Sequence, residues 1–183
     1  MVNSTTSFTL TERGKLFLVL AIALFQGLLY MFLLPPWQHY DEPTHFEYAW
    51  LLANRSGLPE RGDEEQLMRR EVAASMVAHH FYWNLTNPDL LTDVGRIYIG
   101  ISELPHPPVY YLLVSLPLRL ARHLDFTTQL YLARSVSLLM FLLIILIGAY
   151  FARSLTGADH PLRWLLPLCM ALLPPFVNQM TAV

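Results

Sequence analysis

The sequence predicts an all-α, polytopic membrane protein with about four transmembrane helices and two amphipathic juxtamembrane helices in a large first outer loop. Three observations carry that prediction. Hydrophobic residues make up 54% of the 183-residue chain and charged residues only 14%, where soluble domains carry about 25% charged residues. Charge-free runs cover residues 16–34, 135–152 and 164–183. The charges are also sorted along the chain. Residues 35–106 hold eleven acids and five bases, and the rest holds three acids and seven bases.

Residues 1–15 form a cytoplasmic N-terminus, rich in Ser and Thr and ending with Arg13 and Lys15. Residues 16–34 form the first transmembrane helix. At about 1.5 Å per residue the run reaches roughly 28 Å, close to the hydrocarbon thickness. The basic flank sets its N-terminal end inside. A cleaved signal peptide is disfavoured by the length of the run and by Pro35-Pro36-Trp37, which stand where small residues are needed. Gln26 inside the run reads as helix–helix glue.

Residues 35–106 form an extracytoplasmic loop. Pro43 suits a first helical turn, and Thr44 with Glu47 matches a capping box. Phe46, Ala49, Trp50 and Ala53 follow as an apolar stripe, which predicts a helix near 44–54. Met68, Val72, Met76, His79 and Trp83 repeat at helical spacing and predict a second helix over 64–83, with acids in its first turn. Both helices are expected to lie on the bilayer surface.

Residues 107–120 are expected to form the second transmembrane helix, 130–152 the third and 164–183 the fourth. Pro167, Pro174 and Pro175 kink or break the last one. Crossing parity puts the 153–163 connection outside, against the inward bias of Arg153 and Arg163. The chain stops within an apolar run, which reads as a truncation. The expected location is an integral protein of a bacterial plasma (inner) membrane with its N-terminus cytoplasmic.

Net charge is −2 and the isoelectric point is near 6.4, which excludes the basic face of a nucleic-acid partner. Cys169 is the only cysteine, so no disulfide forms within the chain.

The chemistry concentrates where the first span leaves the membrane. Asp41 and Glu42 are adjacent carboxylates flanked by His39 and His45. A carboxylate there can take a proton from a hydroxyl, and a pair can bind a divalent cation. A following proline disfavours helical geometry at Glu42, and a helix N-terminus keeps the acids ionised. The bland role for either acid is a helix cap. Five of the seven histidines lie in this loop, but no His-Glu-x-x-His spacing supports a metal site. His106-Pro107-Pro108 makes a stiff turn, with Tyr110 and Tyr111 as interfacial anchors. Arg61, Arg69, Arg70 and Arg96 can pair with a lipid phosphate.

A span ending in Pro35-Pro36, then Asp41-Glu42-Pro43-x-His45-Phe46, Gly57-Leu58-Pro59 and His106-Pro107-Pro108-x-Tyr110-Tyr111, resembles the opening of the GT-C superfamily of polytopic membrane glycosyltransferases. It is most similar to a bacterial branch with an Asp-Glu-Pro-x-His-Phe first-loop motif. Arg134-Ser135-x-Ser137 and Leu173-Pro174-Pro175-Phe176 also look like that branch. The resemblance implies inverting sugar transfer from a polyprenyl-phosphate donor to a cell-envelope acceptor on the outer face. It puts Asp41 at the catalytic position with Glu42 beside it. His45, His106, Arg69 and Arg70 become candidates to bind the donor. Some members use a divalent cation and others do not, so the cofactor stays open. The chain would be the N-terminal part of such an enzyme and inactive alone. Two other readings stand beside this one, a transporter or flippase-like protein and a non-catalytic membrane scaffold. The spans show no deep ionisable residues of the kind a transport path needs.

Overall fold

The computed structural model describes residues 11–91, 97–158 and 160–183. Every regular element among them is a helix: α1 (Glu12–Leu33), α2 (Glu42–Asn54), α3 (Gln66–Ala78), α4 (Val109–Leu120), α5 (Phe126–Leu155), α6 (Leu162–Leu172) and α7 (Pro174–Thr181). They divide between two hydrophobic cores that meet near the end of α1.

The first core is a long apolar bundle. α1 starts where the Thr11 hydroxyl accepts from the Gly14 N–H at 3.2 Å, and it stops before two prolines that cannot continue its ladder. α1 has 22 residues and α5 has 30. Both are long and apolar enough to cross a membrane. They run antiparallel. Gly27 faces Leu138 and Phe141 near one end, and Arg153 donates to the Glu12 carbonyl at 3.2 Å at the other. A Cβ on Gly27 would stand 2.3 Å from Leu138 Cδ1, so glycine permits this approach.

α6 lies along the start of α1, with Trp164 and Leu168 against Leu18 and Ile22. α7 continues in the same direction and brings Phe176 to Phe141, ring centroids 5.9 Å apart. Val19, Ala23, Met31, Phe141, Ile145 and Ala171 fill the interior. Phe25, Leu33, Leu139, Tyr150 and Phe151 stay exposed on the outside.

The second core joins α2, α3, α4 and the first turns of α5, which project past the end of α1. Trp37 is fully buried here and donates from Nε1 to Ser75 Oγ at 2.8 Å. It meets Phe46 edge-on at 5.3 Å, and Phe46 in turn meets Phe126 of α5. α2 and α4 run parallel. Tyr48 stacks on Tyr111 at 4.1 Å near their N-termini. At their C-termini Arg119 and Arg122 donate to the Leu52 and Ala53 carbonyls, the last acceptors of α2.

Several expectations change. The segment 107–120 contributes a helix of only 12 residues. At 1.5 Å per residue that is about 18 Å, short of the roughly 30 Å hydrocarbon core, and it packs on α2 and α5. The connection 153–163, expected on the side opposite the N-terminus, sits at the same end, because Arg153 bonds Glu12. The expected single span 164–183 is two helices parted at Leu173, where Pro174-Pro175 ends the ladder. α2 starts two residues early and is buried on nearly all sides, so it is core and not a surface-lying helix. The capping box does not form: Thr44 donates to the Asp41 carbonyl and Glu47 pairs with Arg69. Glu42, expected to be extended, is the first residue of α2. α3 is shorter than the expected 64–83. Its Met68, Val72 and Met76 are buried as the spacing predicts, but the helix ends at Ala78 and Trp83 is exposed. The Arg96 reading lies outside the described residues.

Candidate functional site

Residues 34–45 form the join between the two cores and carry His39, Asp41, Glu42 and His45. Glu42 accepts two hydrogen bonds from Arg134 of α5, each 2.7 Å, and both side chains are fully buried. The same guanidinium donates to the carbonyls of Met31 at 2.8 Å, Leu34 at 3.0 Å and Pro35 at 3.1 Å. These are carbonyls that the end of α1 leaves without helical partners. Glu42, expected to serve beside Asp41 as a second site acid, is therefore occupied in a structural ion pair.

Asp41 sits differently. Its backbone is left-handed, φ 49° and ψ 19°, a conformation that Asp tolerates better than most residues. Its carbonyl accepts from the Thr44 and His45 N–H groups at 3.1 Å and from the Thr44 hydroxyl at 2.9 Å. Its carboxylate makes no capping bond to the helix it precedes, and the side chain is partly exposed. The backbone is thus pinned while the acid stays presented.

One turn further, His45 Nδ1 shares a 2.7 Å hydrogen bond with the Tyr111 hydroxyl. Its ring stacks on those of Tyr111 at 5.9 Å and His106 at 6.0 Å. His106 Nδ1 lies 2.8 Å from a Glu103 carboxylate oxygen and 3.5 Å from the Tyr111 hydroxyl. Burial pushes the His45 pKa below the ordinary histidine value, against the pull of Glu103, Asp41 and Glu42, so the ring is held toward its neutral form. Burial, helped by Glu103, pushes the Tyr111 hydroxyl well above its usual range and keeps it protonated.

Beside this group lies a cavity of about 220 Å³, lined by His45, Tyr110, Tyr111, Ser137, Met140 and Gln179 among others. Tyr110 shares a 2.8 Å hydrogen bond with Ser137 at its wall. His39 is also buried, with Asn178 beside its ring, and among the described residues neither side chain makes a well-formed hydrogen bond to the other. Burial pushes the His39 pKa down.

The structure thus gathers Asp41, His45 and His106 around one end of α2 and α4. It separates the two arginines from them. Arg69 is buried and bonded through Nε and Nη2 to Glu47, both at 2.6 Å. Arg70 donates to the Leu90 carbonyl. Sequence reading missed Glu103, Tyr111 and Arg134 as members of the group. Glu103 stands three residues before His106, a spacing that carries no signal outside a helix. Comparison with known protein families, curated proteins and solved structures finds no match for this chain.

Proposed function

We propose that this chain forms the membrane-embedded front part of a GT-C-type glycosyltransferase. It would transfer a sugar from a polyprenyl-phosphate donor to an acceptor hydroxyl on the outer face of a bacterial plasma membrane. In this reading α1, α5 and the α6–α7 pair make three crossings, and α2, α3, α4 and the start of α5 form an outer layer. The charges favour this orientation. Lys15, Arg153 and Arg163 gather at one end of the bundle, where the positive-inside bias wants them. The acid-rich loop lies at the other.

The observation that carries the reading is the contrast between neighbouring acids. Glu42 and Glu47 are each locked to an arginine, whereas Asp41 is held in a left-handed backbone with its carboxylate uncapped. A pinned, presented acid at a span exit suits a general base. As the acceptor oxygen attacks the anomeric carbon, Asp41 takes its proton. The bond from the anomeric carbon to the phosphate oxygen breaks on the opposite face and inverts the centre. The phosphate leaves with the electron pair, already charged, and needs hydrogen-bond donors and no acid. His45 and His106 line that side of the site. Arg70, on α3 and bonded to the Leu90 carbonyl, stands apart from this group. Arg69 and Glu42 hold the scaffold.

The test is saturable binding of a fluorescent polyprenyl-phosphate sugar to the full-length protein in proteoliposomes. Binding that survives Asp41→Asn while transfer is lost supports the reading. No saturable binding by the native protein removes it and leaves a scaffold.

A further inference from the structure

We propose that His45, Glu103 and His106 form a site for a divalent metal ion of the zinc class. One ligand atom from each of the three residues lies within 4.8 Å of the others. They come from two elements, His45 from the first turn of α2 and the other two from the loop leading into α4. Two bonds fix that loop, and a third fixes the His45 ring. The His106 N–H bonds the Glu103 carbonyl at 3.0 Å and closes a turn that sets both side chains on one side. The Tyr48 hydroxyl donates to the His106 carbonyl at 3.3 Å and ties the turn to α2. The Tyr111 hydroxyl fixes the His45 ring through its 2.7 Å bond.

The donor set is two imidazoles and a carboxylate, which selects zinc-like ions over magnesium or calcium, whose sites are built from oxygen. Ligand atoms around a tetrahedral ion with bonds of about 2.0–2.1 Å stand roughly 3.3 Å apart. Closing the set to that spacing needs small shifts of the side chains, and His106, with 54% of its side chain exposed, stands at the open edge of the cluster. Its exposure also leaves the fourth position open to water or a ligand oxygen. The inference does not depend on the sugar-transfer reading. Without a metal, the same groups are a 2.8 Å Glu103–His106 contact beside a His45–Tyr111 hydrogen bond, and the experiment must separate these.

The experiment titrates Co²⁺ into the purified chain in detergent micelles and reads its visible ligand-field bands, with Zn²⁺ as competitor. The expected result is an intense tetrahedral band that saturates and is displaced by Zn²⁺. His106→Ala and Glu103→Gln should each weaken binding by about tenfold or more, whereas His123→Ala, at an exposed histidine elsewhere, leaves it unchanged. Helicity measured on each variant confirms that the fold is kept. Absence of a tetrahedral band in the native chain, or a band that His106→Ala leaves intact, overturns the proposal.

Discussion

Arg134 and Glu42, 92 residues apart in sequence, form a buried two-point ion pair that joins the long α5 to the start of α2. The three carbonyls that share the guanidinium belong to the end of α1 and the residues after it. One side chain therefore positions the exit of α1, the entry of α2 and, through them, Asp41. Placing such a charge in the interior is costly unless all its donors are used, and here five bonds use them.

Removing either partner leaves the other charge buried and alone. Glu42→Gln or Arg134→Met should each cost about 3–5 kcal/mol of stability, read as a lowered unfolding midpoint in detergent. Arg134→Lys should fail as well, because one ammonium cannot serve a carboxylate and three carbonyls together. The double variant Glu42→Leu/Arg134→Met should lie closer to the native chain than either single replacement. Equal loss in the double variant would mean the pair holds more than its own charges.

The α1–α5 contact should be least tolerant at Gly27. A methyl there meets Leu138 Cδ1 at 2.3 Å, with Phe141 and Thr181 behind it at 3.6 Å. Gly27→Ala should cost about 1–3 kcal/mol. Gly148→Ala should cost less, because its methyl meets Met170 Sδ at 2.7 Å and a thioether side chain can move aside. A reversed order in thermal unfolding would contradict this packing.

Stability should fall in mild acid. Burial lowers the His39 pKa from the ordinary 6.5, and the same cause acts on His45. The unfolded state therefore binds more protons below that value. The contribution is fully present above pH 6.5 and is lost as pH falls through it toward the folded pKa. Unfolding midpoints measured between about pH 7.5 and 5 should drop, and His39→Leu should flatten the slope. A profile unchanged by His39→Leu would show that the ring keeps its proton in the fold.

The direction of the bundle is open to chemical labelling. In a Cys169→Ala background, Ser56→Cys should react with an impermeant thiol reagent in intact cells. Gly157→Cys should react only after permeabilisation, because Arg153 ties that connection to the N-terminal end. Labelling of Gly157→Cys from outside would restore the parity of four crossings.

The long elements were legible because periodicity and charge are local. The charge-free runs 16–34 and 135–152 lie almost wholly within α1 and α5, and Pro174-Pro175 marks the break after Leu173. Met68, Val72 and Met76 announced the buried face of α3. What failed was non-local. An apolar stretch of 12 residues reads alike as half a span or as a core helix, and its parallel packing on α2 could not be read from its own residues. Arg134 read as part of a family-like motif, and nothing near it names Glu42 as its partner. Tyr111 read as an interfacial anchor but is a buried hydrogen-bond partner of His45. Asp41 and Glu42 are neighbours of the same chemistry, and only the fold separates the presented acid from the paired one.

The most direct test of the account is the rate of sugar transfer from a polyprenyl-phosphate donor by the full-length protein carrying Asp41→Asn. Asparagine keeps the size of the side chain and tolerates the left-handed backbone, so insertion and unfolding midpoint should be unchanged. The account predicts that transfer falls by about 10²–10⁴-fold, the usual worth of a general base. A variant that transfers at the native rate would contradict it.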